Sequence, residues 1–127
     1  MSRRLLLDTD VLVDHLRGFD KATSLVAAHG ADSAISSISV AELFTGVRDD
    51  GRVVLEEFLS IFQTIPVTDE IAREAGLLRR TFGPSHGVGL PDAIVAATAR
   101  AYGMEIRTAN VRHFPMFKRL QAAYTKP

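Results

Sequence analysis

At 127 residues the chain is long enough to bury one substantial core and too short for two domains. Its 46% hydrophobic and 24% charged residues fit an ordinary folded protein and exclude a disordered one, and with no cysteine it can hold no disulfide, thiolate metal site or cysteine nucleophile. Fifteen acids balance fifteen lysines and arginines, but unevenly: from residue 100 on, Arg100, Arg107, Arg112, Lys118, Arg119 and Lys126 oppose the single acid Glu105. An acidic centre beside a basic rim suits an enzyme that handles a polyanion.

The apolar run Leu5-Leu6-Leu7 predicts a short strand buried on both faces, ending at Asp8-Thr9-Asp10. Val11, Leu12, His15 and Leu16 recur at helical spacing up to Gly18, and a second short helix over about 22–28 stops at His29-Gly30. Residues 34–36 read as a second strand. Ser39 is then expected to cap a helix carrying Val40, Leu43, Phe44 and Val47, which breaks at Asp49-Asp50-Gly51.

Val53, Val54, Phe58, Leu59 and Phe62 mark a further helix, and Thr64-Ile65-Pro66-Val67 an edge strand. Thr68-Asp69 opens a helix with Ile71, Ala75, Leu78 and Phe82, and residues 83–89, with Pro84 and three glycines, read as a loop. Pro91 begins the next helix, which runs to about Tyr102 and ends at Gly103; residues 105–108 form the last clear strand, and the tail from Phe114 is a packing segment. Strands alternating with helices throughout predict a single α/β domain of three layers, α/β/α, with a central parallel sheet flanked by helices.

Each acid in this frame has a structural reading beside a functional one. Asp8 can cap the helix it precedes, but Asp10 sits nearer the cap position, and a carboxylate ending a leucine strand needs a cation or several donors if it is buried. Glu42, three residues after Ser39, fits a capping box, and Asp92, just after Pro91, fits a first-turn acid favoured by the helix dipole. Asn110 is an ordinary turn residue. Taken jointly, Asp8, Glu42, Asp92 and Asn110 lie at or just after a strand end, or at the start of a helix that such a strand would feed, and should open onto one sheet edge. Acids without histidine or cysteine among them suit a hard cation, Mg²⁺ or Mn²⁺, and through it phosphoester hydrolysis.

Four segments, Leu5-Leu6-Leu7-Asp8-Thr9-Asp10-Val11-Leu12, Ser39-Val40-Ala41-Glu42-Leu43-Phe44-Thr45-Gly46, Leu90-Pro91-Asp92-Ala93-Ile94-Val95-Ala96-Ala97 and Thr108-Ala109-Asn110-Val111-Arg112-His113-Phe114, resemble in order the motifs of PIN-domain ribonucleases, most closely the VapC-type toxins of bacterial toxin–antitoxin pairs. The resemblance covers nearly the whole chain. It implies a PIN-like fold, a Mg²⁺- or Mn²⁺-dependent endoribonuclease site acting on RNA, a homodimer, and a cognate antitoxin of VapB type seated in a groove near the site. By position Asp8, Glu42 and Asp92 match the three core acids that hold the metal. Asn110 matches the fourth catalytic position, often aspartate, where a neutral amide is a poorer ligand for a second ion. His113 stands where many relatives have another acid, which makes the local field less negative.

Around such a site Thr9 and Asp10 position a ligand or serve the helix start, Arg107, Arg112 and Lys118 are candidates for phosphate contact or plain solvated surface, and His86 is a candidate for lining the RNA entry or an incidental loop residue. Two alternatives remain. Asp8-Thr9-Asp10-Val11-Leu12 also resembles the opening motif of haloacid-dehalogenase phosphatases, with Asp8 as nucleophile and Asp10 as general acid, although no paired-aspartate motif follows. A non-catalytic PIN-like binding module is the other. The three leucines before Asp8 fall far short of a signal-peptide core, and no later run is long enough to span a bilayer, so a cytoplasmic location is expected.

Overall fold

A computed structural model describes residues 3–126. Four short parallel strands, β1 (Leu5–Leu7), β2 (Ser33–Ser36), β3 (Gln63–Ile65) and β4 (Glu105–Arg107), form one sheet in the order β3-β2-β1-β4. Six helices connect and cover them: α1 (Thr9–Leu16), α2 (Asp20–His29), α3 (Ser37–Gly46), α4 (Arg52–Leu59), α5 (Asp69–His86) and α6 (Leu90–Tyr102). None of them is long and apolar enough to cross a membrane.

Strand pleating divides the interior in two. Leu6 and Ala34 point into a cluster with Ile71, Ala75 and Leu78 of α5 and the alanine-rich α6, while Leu7 and Ile35 point into another with Leu12, Val26, Leu43, Leu55 and Phe58 of α1 to α4. Sheet and helices thus form the three layers expected from the sequence. In α6 every residue from Ala93 to Ala99 is buried, because the helix is packed on both the sheet and α5; its small alanines allow that close approach. β3 is an edge strand and Pro66 lies just past it, so its missing N–H takes no bond from the ladder.

Three local expectations are corrected. The segment 83–89 is not a loop throughout: α5 continues through Gly83, Pro84 and Ser85 to His86, and Gly87 ends it in the left-handed conformation (φ 64°), its N–H donating to the Gly83 carbonyl at 2.8 Å. Proline's fixed φ is helical, so Pro84 is accommodated there, at the loss of one N–H bond in the last turn. The buried Val88 then anchors the turn to the core. Second, α3 starts at Ser37 with Ser36 as its cap, so Ser39 and Glu42 are not a capping box. Third, the cap of α1 is Asp8, and Asp10 lies inside the first turn, the reverse of the assignment made from spacing.

Candidate active site

The parallel pairing of β1 with β4 sets Leu7 beside Arg107, and the Asp8 N–H donates to the Arg107 carbonyl at 3.0 Å. Asp8 and Thr108, both just past their strands, are therefore neighbours although 100 residues separate them. The Thr108 hydroxyl, fully buried, lies 2.9 Å from Asp8 Oδ2 and 3.1 Å from Asp10 Oδ2. Asp8 Oδ1 accepts the Thr9 N–H at 2.9 Å, and Asp10 Oδ2 also accepts the Ala109 N–H at 3.0 Å. The Asn110 N–H donates to the Thr108 hydroxyl oxygen at 3.0 Å, which fixes the rotamer of the threonine. Among the described residues Asp10 Oδ1 is buried without a hydrogen-bond partner.

The electrostatics of this corner are unfavourable without a cation. Burial, aided by the charge of Asp10, pushes the Asp8 carboxyl up to about 8, and the Thr108 bond only partly opposes this. Burial likewise raises Asp10 against its bonds to Thr108 and Ala109. Asp92, on the first turn of α6, is raised by burial too; the charge of His113 opposes this, while Glu42 and Asp10 add to it. His113 Nδ1 is 3.3 Å from Asp92 Oδ2. Glu42, more exposed on α3, joins through Thr9, whose hydroxyl lies 2.8 Å from Glu42 Oε1 and 2.7 Å from the Ser39 hydroxyl.

The four sequence-predicted positions thus share one end of the sheet, but not equally closely. Among the described residues no three His, Asp or Glu side chains stand close enough to enclose an ion by themselves. The donors nonetheless fit a hard cation that keeps much of its water shell: they are all oxygens, one of them is a buried orphan, and Asp8 carries a strongly raised pKa that a cation would reverse. The Asn110 amide approaches His113 Nδ1 only at 3.4 Å, too long for a strong bond. Thr108 escaped the sequence reading as an individual residue, since a threonine ending a strand carries no signal until β4 is paired with β1.

The more distant candidates are distributed as follows. Arg112 and Lys118 are exposed; Arg107, half-buried, lies 3.7 Å from Glu105. Arg107, Lys118, Arg3 and Arg119 line one groove beside β4. His86 is not in a loop but in the last turn of α5, exposed and 2.7 Å from the Ser85 hydroxyl.

The family model for the PIN domain matches residues 5–120. The chain belongs to the PIN-domain family. Among curated proteins it is 40% identical to ribonuclease VapC10 of Mycobacterium tuberculosis, over 97% of this chain and 95% of the relative. It is 42% identical to ribonuclease VapC19 of the same organism, over 94% of this chain and 98% of the relative. Among solved structures, a toxin–antitoxin complex from Klebsiella pneumoniae contains a chain with 28% identity and a TM-score of 0.82, covering 96% of this chain and 99% of that one. Membership of the PIN-domain family removes the haloacid-dehalogenase alternative. In this PIN domain Asp10 also has no general-acid posture, since one oxygen lies against the Thr108 hydroxyl and the Ala109 N–H and the other is buried.

Proposed function

We propose that this PIN domain is a divalent-metal-dependent endoribonuclease, the toxin of a cytoplasmic toxin–antitoxin pair, with Asp8, Glu42, Asp92 and Asn110 at its catalytic site. The observation that carries the reading is the Asp8–Asp10 pair, held on Thr108 at the sheet end with Asp8 pushed up to about 8 and one Asp10 oxygen unpartnered. The identity to the VapC10 and VapC19 ribonucleases supports the choice of RNA.

Asp8, Glu42 and Asp92 would hold Mg²⁺ or Mn²⁺ partly through water, with Asp10 completing the negative field. Such an ion, when bound, would supply positive charge for the scissile phosphate and a more acidic water as nucleophile. Thr108 keeps Asp8 and Asp10 together, Thr9 keeps Glu42 turned toward them, and His113 holds Asp92 from its other side. Asn110 offers an amide where an acid would favour a second ion. Arg107, Arg112 and Lys118 offer cations to the phosphates flanking the cut: Arg107 and Lys118 line the groove beside β4, and Arg112 is exposed just after that strand.

A cognate antitoxin of VapB type is the proposed partner. An apolar groove between α1, α3 and α4, lined by Val13, Leu16, Val47, Val54 and Leu55 with Glu42 at its rim, supports its seat beside the site. Homodimerisation has exposed Leu77 of α5 and Leu90 and Tyr102 of α6 as available surface.

The test is incubation of the purified protein with structured RNA and, separately, p-nitrophenyl phosphate, with Mn²⁺ or EDTA, alongside Asp8→Asn and Asp92→Asn. RNA cleavage that needs Mn²⁺ and is lost in both variants is expected. Cleavage surviving EDTA or Asp92→Asn overturns the site, and absence of any cleavage by the wild type favours a binding module.

A further inference from the structure

Asp14, on α1 one turn after Asp10, is buried at only 7% exposed, and the metal site does not use it. A buried carboxylate is costly without partners, and here both come from the chain terminus. The Tyr124 hydroxyl donates to Asp14 Oδ2 at 2.7 Å, and Lys126 Nζ lies 2.9 Å from the same oxygen. The Tyr124 ring packs on Phe19 at 5.5 Å, and Lys21 Nζ donates to the Thr125 carbonyl at 3.2 Å. Burial, the Asp14 bond and nearby negative charge, including Asp10 and Asp8, all raise the Tyr124 hydroxyl's pKa, so it stays a proton donor at neutral pH.

The residue before this anchor makes the connection to the site. The Ala123 N–H donates to the Thr108 carbonyl at 2.7 Å, while the Thr108 hydroxyl contacts both Asp8 and Asp10. Between Thr108 and Ala123 the chain has a single 3₁₀ turn (Val111–His113) and otherwise no helix or strand. β4 is an edge strand, so Thr108 just past it has β1 on one side and this tail on the other. The path Asp14–Tyr124–Ala123–Thr108–Asp8/Asp10 begins and ends on α1 and its cap.

We propose that residues 123–126 are a positioning strap: Tyr124, anchored on Asp14, fixes Ala123, whose N–H holds the Thr108 carbonyl, and so sets the geometry of the Asp8–Asp10 pair for the divalent ion. This rests on the metal-site reading given above. Tyr124 is a positioning residue, not a catalytic one. Its effect is exerted on the ion and not on RNA.

The decisive variant is Tyr124→Phe, which keeps the ring on Phe19 and removes only the hydroxyl. In the full chain, Mn²⁺ binding followed by calorimetry is expected to weaken about tenfold, within the range for groups that orient metal ligands. Cleavage should show the same rise in half-saturating Mn²⁺, with KM for RNA unchanged and kcat restored at excess Mn²⁺, a rescue that general loss of folding would not give. Without metal, the Thr108 and Ala109 amide resonances should move. Asp14→Asn, which still accepts from the tyrosine, should retain most of the affinity; Asp14→Ala should match Tyr124→Phe, and the double variant should be no worse than either. Asp8→Asn separates the two readings: if it abolishes Mn²⁺ binding while Tyr124→Phe binds like wild type with unmoved Thr108 and Ala109 resonances, the strap is wrong and the site stands. If Asp8→Asn binds Mn²⁺ like wild type, the site reading and the strap fall together.

Discussion

The two sides of the site are built on different principles. On one side Asp8, Asp10 and Thr108 are knit into the ends of β1 and β4 by backbone and hydroxyl donors, and Asp8 and Thr108 are almost fully buried. On the other, Glu42 and Asp92 sit on the helices α3 and α6, more exposed, with one or two side-chain partners each, Thr9 for Glu42 and His113 for Asp92. The buried side concentrates charge that the fold cannot neutralise, and the rim tunes that charge and remains open to substrate. On the proposed reading, such an arrangement trades stability for a seat that a cation would fill.

Asp8→Asn tests the trade at its strongest point and should have the largest effect. Cleavage is expected to fall about a thousandfold or more, as losing the several kcal/mol supplied by a catalytic ion requires. Stability should move the other way. The native state keeps the Asp8 proton up to about pH 8, whereas in the unfolded chain an ordinary aspartate carboxyl, at 3.8, loses it. Between those limits the unfolded chain binds fewer protons, so wild-type stability falls as pH rises, by at most about 1.4 kcal/mol per pH unit from this group. In metal-free Asp8→Asn that slope should flatten, and denaturant midpoints across pH 5–8 measure it. The same proton must leave when Mn²⁺ binds, so wild-type affinity should rise up to about tenfold per pH unit below pH 8. A pH-independent affinity would break the contrast between the two sides.

Thr108→Val comes next. It preserves shape and removes the one hydroxyl that touches both carboxylates and receives the Asn110 N–H. Mn²⁺ affinity is expected to fall about 10- to 100-fold, and stability by about 1–3 kcal/mol, since the Asn110 N–H loses its acceptor. Calorimetric titration and thermal unfolding separate the two losses. An equal loss on Glu42→Gln, whose carboxylate is more exposed, would show that the rim is no more forgiving than the buried corner.

That division also explains what was legible in the sequence. Leu5 to Leu7, the alanines of α6 and the helical spacing of α1 to α5 report local burial, and they were enough for the strands, the helices and the sheet end where the acids gather. The choice of Ser36 over Ser39 as the α3 cap was not legible, because several serines lie together and only the length of β2 decides which one starts the helix. Gly83 and Pro84 carried loop signals, yet both lie in α5, which ends only at Gly87, whose N–H bonds the Gly83 carbonyl. Above all, Thr108 on Asp8 and Tyr124 on Asp14 join residues about a hundred positions apart. A single sequence contains each partner but nothing that pairs them.

The smallest expected effects lie on the rim, and their value is that they have opposite signs. Asp92 is raised by burial, lowered by the charge of His113 and raised again by that of Glu42. His113→Asn should therefore raise the titration midpoint of the Asp92 carboxyl further, and Glu42→Gln should lower it. Each change should stay below about one pH unit, since pairs this exposed are worth about 0.2–1 kcal/mol. Carboxyl-carbon NMR of the metal-free protein reads both directly. If the Asp92 midpoint moves the same way in both variants, or by several units in either, then Asp92 belongs to the rigid corner with Asp8, and the site is one buried cluster instead of a fixed seat with an adjustable rim.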